Sequence, residues 1–151
     1  MNISQLVAPI GPTVSESEPM THVAKLLTNN DRGFVTVVQD GPKVNPRGFI
    51  THGDLAKVKL KHPQQWPLMK CRSVLAGRPQ SHLRDEDAIE QAVELLKREG
   101  VRPLLIFTSS KLLGVLEPAK VFNWCAEHSP SALEELAYLV SQEERNQYPV
   151  G

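Results

Sequence analysis

The sequence predicts an α/β (α+β) fold of two pseudo-symmetric β-α-β-β-α repeats packed through their sheets, with an extra C-terminal helix. Three observations lead there. A helical stretch recurs: His22-Val23-Ala24-Lys25-Leu26-Leu27 and Gln91-Ala92-Val93-Glu94-Leu95-Leu96 place apolar residues at helical spacing and end in Leu-Leu, 69 residues apart. A β-rich run follows each at that offset, Phe34 to Val38 and Leu104 to Phe107. A second strand closes each copy, ending in Gly48-Phe49-Ile50 and Gly114-Val115-Leu116, 66 residues apart, so the first hairpin loop is longer by three residues.

In chain order, each copy opens on a short extended piece, Gly11-Pro12-Thr13-Val14 and Arg78-Pro79-Gln80-Ser81. Acidic residues follow, at Ser15 to Glu18 and Asp85 to Asp87, where they are expected to start the long helices and complement their dipoles. The strands are joined by turn-formers, Gln39-Asp40-Gly41-Pro42 and Thr108-Ser109-Ser110-Lys111. A short helix then begins at His52 and at Pro118. Lys59 to Pro67 reads as a Pro-punctuated connector that Trp66 packs down. A final helix from Ser131 to about Asn146 carries Leu133, Leu136, Ala137 and Val140 on one face, with Glu134, Glu135, Glu143 and Glu144 solvated. The domain reading is residues 1–60 for the first repeat, 61–71 for the connector, 72–128 for the second repeat and 129–151 for the C-terminal helix and tail. One unit alone exposes the apolar faces of its sheet and helices, so the repeats are expected to cover each other.

Composition narrows the function. The 151 residues suffice for one core, and 40% hydrophobic with 23% charged residues is a globular balance despite 12 prolines. Lys plus Arg equals Asp plus Glu at 17 each, which removes the basic excess of a phosphate-backbone binder and argues against nucleic acid as partner. No segment reaches the length of a membrane span and the start has no basic signal region, so no membrane association and a cytoplasmic location are expected. Cys71 and Cys125 lack metal or redox spacing and read as buried free thiols.

After its last strand each copy carries an element of the form G-h-x-[TS]-x-x-D. The first is intact as Gly48-Phe49-Ile50-Thr51-His52-Gly53-Asp54; the second reads Gly114-Val115-Leu116-Glu117-Pro118-Ala119-Lys120. Repeat order, helix pattern and motif position together resemble a tandem CBS-domain pair, or Bateman module, over roughly residues 6–125. The resemblance implies a regulatory module that binds an adenine-containing small molecule (AMP, ADP, ATP or S-adenosylmethionine) in a cleft between the CBS repeats, with no required cofactor. It also implies a homodimer, for which Leu55, Val121 and Phe122 on the short helices are the expected surface.

Thr51 and Asp54 carry the chemistry of the intact element. A carboxylate beside a hydroxyl at a strand-to-helix junction can accept from ribose hydroxyls, while free helix amides suit a phosphate. The same two residues fit a capping box, in which they only satisfy orphan amides, and Thr51 can serve both roles. The resemblance implies a nucleotide site of Thr13, Val14, Arg32, Phe34, Val35, Ile50, Thr51, His52 and Asp54, with Arg32, His52 and Arg47 as candidate phosphate partners. In the second copy Lys120 has donors only and Glu117 would repel a phosphate, so one working site is expected.

No enzyme is expected. His22, His52, His62, His82 and His128 are scattered without a metal-ligand pattern, and no nucleophile elbow, P-loop or G-x-G-x-x-G occurs. Cys125 and His128 could meet on a helix but lack an orienting group. The alternative function is a ligand-free scaffold regulating a partner protein, with the C-terminal helix as its docking element.

Overall fold

The computed structural model describes residues 2–42, 45–75, 83–109 and 111–147. The first repeat is β1 (Thr13–Ser15), α1 (Met20–Thr28), β2 (Phe34–Val38), β3 (Pro46–Thr51) and α2 (His52–Lys61). The second is β4 (Leu83–Arg84), α4 (Ile89–Glu99), β5 (Leu104–Thr108), β6 (Lys111–Leu116) and α5 (Pro118–His128). Between them lie a 3-10 turn (Trp66–Leu68) and α3 (Cys71–Leu75); α6 (Pro130–Gln147) follows the second repeat. Each repeat forms one three-stranded sheet in sequence order, its first strand parallel to the second and the second antiparallel to the third. The β-α-β-β-α order read from the sequence occurs twice.

Apolar spacing explains the two long helices. α1 buries Met20, Val23 and Leu27, and α4 buries Ile89, Ala92, Val93, Leu95 and Leu96, so one stripe of each faces its own sheet. Both begin later than the acidic residues suggest. Residues 15–19 and 84–88 form turns, in which a carboxylate side chain accepts from the end of the preceding strand: Ser15 N donates to Glu18 Oε1 (3.4 Å) and Arg84 N to Asp87 Oδ2 (2.8 Å). Glu18 and Asp87, 69 residues apart, brace strand-to-helix turns and do not open the helices; Glu18 also contacts His22 Nδ1. The extended piece expected at Arg78 to Ser81, together with His82 and Ser110, lies outside the described residues.

The chain divides into two compact units that are not its contiguous halves. One is Ile10–Gln80; the other joins Met1–Pro9 to Ser81–Gly151. The opening segment packs in the second unit through Ile3 N to Asp87 O (3.1 Å), Ser4 N to Asp85 O (3.2 Å) and a reciprocal pair between Ala8 and Val115 (2.9 and 2.8 Å). In the first unit α3 takes the same part, with Cys71 N to Glu18 O (3.0 Å) and Arg72 N to Glu16 O (2.9 Å). The stretch read as a connector is therefore structured: α2 continues through Lys61, Trp66 is partly buried on the first core, and Lys59 lies 4.7 Å from its ring centroid.

Each unit has its own core. The first is built from Val14, Val23, Leu27, Val35, Val37, Ile50 and Leu55 with Cys71; the second from Ile3, Leu83, Leu96, Leu104, Ile106, Leu116 and Val121 with Cys125. Both thiols are free and buried, as expected, and desolvation holds both above the ordinary thiol range, Cys71 at about 11. Leu55 and Val121 are core residues, so these two do not form the exposed surface expected of them, whereas Phe122 packs against the core and stays partly exposed. On α6 the buried stripe is Ala132 and Leu136, flanked by Leu133 and Leu139, and Ala137 is exposed. The helix starts at Pro130, before the expected Ser131, and packs against α4 and α5. Lys97 of α4 ties it down by a 2.9 Å ion pair to Glu135. The side chains of Glu143 and Glu144 lie outside the described residues. Among the described residues no helix is long and apolar enough to cross a membrane.

Candidate functional site

The intact element sits where β3 runs directly into α2. Thr51 is the last strand residue and the helix N-cap, with extended φ/ψ of −103° and 171°. Its Oγ1 accepts from Asp54 N (3.2 Å), and Asp54 Oδ2 accepts from Thr51 N (2.9 Å). This is a closed capping box, and it accounts for Asp54 being buried to 4% exposure at the start of a helix.

The strand period decides which side chains share a face with Thr51. Val14, Val35, Val37 and Ile50 join the core packed beneath the helices. Their neighbours along each strand, Thr13, Phe34, Thr36, Phe49 and Thr51, point to the opposite face. Register brings these into one row of pairs: Phe34 opposite Thr51, Thr36 opposite Phe49, and Thr13 opposite Thr36. Phe34 and Phe49 meet edge to face at 5.3 Å between centroids. Buried Thr36 is satisfied by donating its hydroxyl to Ile10 O (2.8 Å).

Arg32 enters this face from the turn before β2. Its guanidinium carbon lies 4.7 Å from the Phe34 centroid, a cation-π stack. Gly11, at φ +73°, makes the stack possible, because a Cβ there would collide with Arg32 Nη1. Gly33, at φ +80°, turns the chain into β2, and exposed His52 lies 3.9 Å from where its Cβ would be.

The nine expected positions thus fall into two groups by orientation. Arg32, Phe34, Thr51, His52 and Asp54 converge on the β3-α2 junction, with Thr13 farther along the same sheet face. Val14, Val35 and Ile50 are 2% exposed or less with side chains in the core, so only their backbones are open to a ligand. Arg47 is separate: it lies at the other end of β3, roughly 13 Å along the strand from Thr51, where its Nε is 3.5 Å from Glu16 Oε2. The sequence reading omitted Phe49, Gly11 and Gly33. A glycine shortly before each of β1 and β2 was the available signal for the last two.

The equivalent junction in the second repeat differs in chemistry. Glu117 is the N-cap of α5 without a side-chain cap bond, Pro118 fills the first turn, and Lys120 is exposed. No group of three His, Cys, Asp or Glu suited to a metal occurs among the described residues.

Comparison with known proteins agrees with this architecture. The family model for the CBS domain matches residues 5–61, the span of the first repeat. A CBS-domain containing protein from Agrobacterium tumefaciens superposes with a TM-score of 0.70 at 15% identity, covering 81% of this chain and 91% of that one. A putative signal-transduction protein with CBS domains from Burkholderia ambifaria gives 0.70 at 14%, covering 85% and 96%. A conserved CBS domain protein of unknown function from Thermoplasma acidophilum gives 0.75 at 12%, covering 93% and 76%. At these identities the likeness is one of fold. No curated protein sequence matches the chain.

Proposed function

We propose that this chain, a CBS-domain protein with the fold of a tandem pair, is a cytoplasmic, non-enzymatic regulatory module that binds one adenine-containing ligand at the β3-α2 junction. The observation that supports it most is the convergence of Thr51, Asp54, Phe34, Arg32 and His52 on one end of the first sheet. A ribose has two vicinal hydroxyls and needs acceptors side by side; Asp54 and Thr51 offer carboxylate and hydroxyl oxygens three residues apart on a helix start. The helix N-terminus and Arg32 supply positive potential for a phosphate. Binding acts by favouring the conformation that contacts the ligand.

The test is a thermal-shift screen of AMP, ADP, ATP and S-adenosylmethionine on the native chain and on Asp54→Ala. A ligand selective for the native state raises stability by about 2.7 kcal/mol at a hundredfold excess over its dissociation constant. The proposal expects such a shift for at least one ligand, lost in Asp54→Ala. Equal shifts in both proteins, or none with any ligand at millimolar concentration, would overturn it.

A second reading, a ligand-free scaffold for a partner protein, is favoured by one feature. The Thr51 and Asp54 side chains already satisfy each other's backbone, so this junction is complete without a ligand. Absence of any nucleotide effect would make that reading the leading one.

A further inference from the structure

Within the second unit, α4, α5 and the start of α6 border a cavity of about 130 Å³. Val93 of α4 and Ala132 of α6 are its apolar walls, and both are buried. Trp124 of α5 lines it too, whereas His128, stacked on that ring at 5.0 Å between centroids, does not. Glu90, Glu94 and Lys97 face it from α4 at helical spacing. The C-terminal end of α5 and the N-terminal end of α6 meet at Ser129, so their dipoles offset and the side chains set the sign of the charge. That sign is negative. Lys97 Nζ is held by Glu135 at 2.9 Å and by Glu94 at 3.4 Å, and hydrogen bonding to Glu135 raises its ammonium above the ordinary lysine range. The carboxylates beside the cavity thus already stabilise one ammonium. Glu90 makes no hydrogen bond or ion pair among the described residues, and neither does the Trp124 indole N–H. Nor do these carboxylates converge as a metal site does among the described residues.

We propose that this cavity binds a linear aliphatic diamine, with one ammonium between Glu90 and the Trp124 ring, the methylenes against Val93 and Ala132, and the second ammonium toward Glu94. A primary ammonium is a compact donor of three N–H groups, so it uses a carboxylate and an indole ring together, by charge-assisted hydrogen bonding and by cation-π attraction. Residues four apart on a helix stand about 5–6 Å from each other at Cβ, which matches two ammonium groups joined by a short methylene chain. The volume is close to the roughly 150 Å³ that admits benzene, enough for a short alkyl chain and too small for a nucleotide. The cavity belongs to the second unit, so the inference stands apart from the adenine-ligand site assigned to the first.

The test is a titration of putrescine into the full chain, followed by nuclear magnetic resonance at the indole N–H signals of its two tryptophans, Trp66 and Trp124, which Trp124→Phe assigns. Putrescine is expected to shift the Trp124 signal saturably and to leave that of Trp66 in place. Glu90→Gln removes a charge-assisted hydrogen bond and is expected to raise the dissociation constant about tenfold. Glu127→Gln, exposed on α5 and outside the cavity, should bind as the native chain does, and butylamine, with one ammonium, should bind more weakly than putrescine. The absence of a saturable shift at millimolar putrescine, an unchanged affinity in Glu90→Gln, or the same shift from Mg²⁺ at equal ionic strength would overturn the proposal. So would tighter binding of a tetralysine peptide, which would assign the cavity to a basic segment of a partner protein.

Discussion

Ile3 and Cys71 hold the same place in the two units. Each donates its amide to the carbonyl of the residue that braces the strand-to-helix turn, Ile3 to Asp87 at 3.1 Å and Cys71 to Glu18 at 3.0 Å, and each is fully buried. Each lead-in segment therefore completes a unit built around a distant repeat. Ile3→Ala is expected to destabilise the protein by about 2–5 kcal/mol, as for other buried aliphatic truncations. Urea denaturation against exposed Ser4→Ala as control measures it; equal stability of the two variants would contradict the packing described.

The same segment explains Gly114. A Cβ there would run into the Ala8 carbonyl and Val7 Cγ1, although the backbone of Gly114 is not in the left-handed region. Gly114→Ala is expected to lose about 1–3 kcal/mol by forcing the 7–8 segment off β6. Removal of residues 2–8 should relieve most of that difference, which a comparison of the two backgrounds by thermal denaturation would reveal.

How much of this was legible follows from range. The repeats announced themselves because helix and strand periods are local properties, and 69-residue spacing survived in side chains that every copy needs for its own core. The exchange of the lead-in segments was not legible, since it rests on main-chain hydrogen bonds between residues some 50 to 110 positions apart. The face of α6 was misread for a related reason: Leu133, Leu136, Ala137 and Val140 fit a helical stripe, but contact with α4 and α5 rotates the buried face toward Ala132. At the candidate site the motif was readable as Thr51-x-x-Asp54, whereas the Arg32-Phe34 stack depends on space left by Gly11 across the sheet.

The burial of Cys71 has a pH consequence. Its thiol is pushed from 9.0 up to about 11 by desolvation, so between those values the native state keeps a proton that the unfolded state releases. Stability is then lost as pH rises through that window, by about 2–3 kcal/mol in full. The slope of stability against pH from 9 to 11 should be shallower in Cys71→Ala than in the native protein, and parallel slopes would contradict this origin.

The capping box has a cost that ligand does not set. Thr51→Ala should lose about 1 kcal/mol of stability in the absence of any nucleotide, with Thr51→Ser close to native because serine caps as well as threonine. Chemical denaturation separates this effect from any ligand-dependent one.

α6 is part of the second core, with Leu136 at 0% exposure among α4 and α5 residues. A chain ending at Ser129 should therefore melt at a lower temperature and bind a hydrophobic dye, where a merely appended docking helix could be removed without change.

The most direct measurement is a calorimetric titration of AMP and ATP into the native chain, Asp54→Ala and Lys120→Ala. One ligand per chain, abolished by Asp54→Ala and unchanged by Lys120→Ala, is the predicted result. Two ligands per chain, or binding that Asp54→Ala leaves intact, would contradict the assignment of the site to the first repeat.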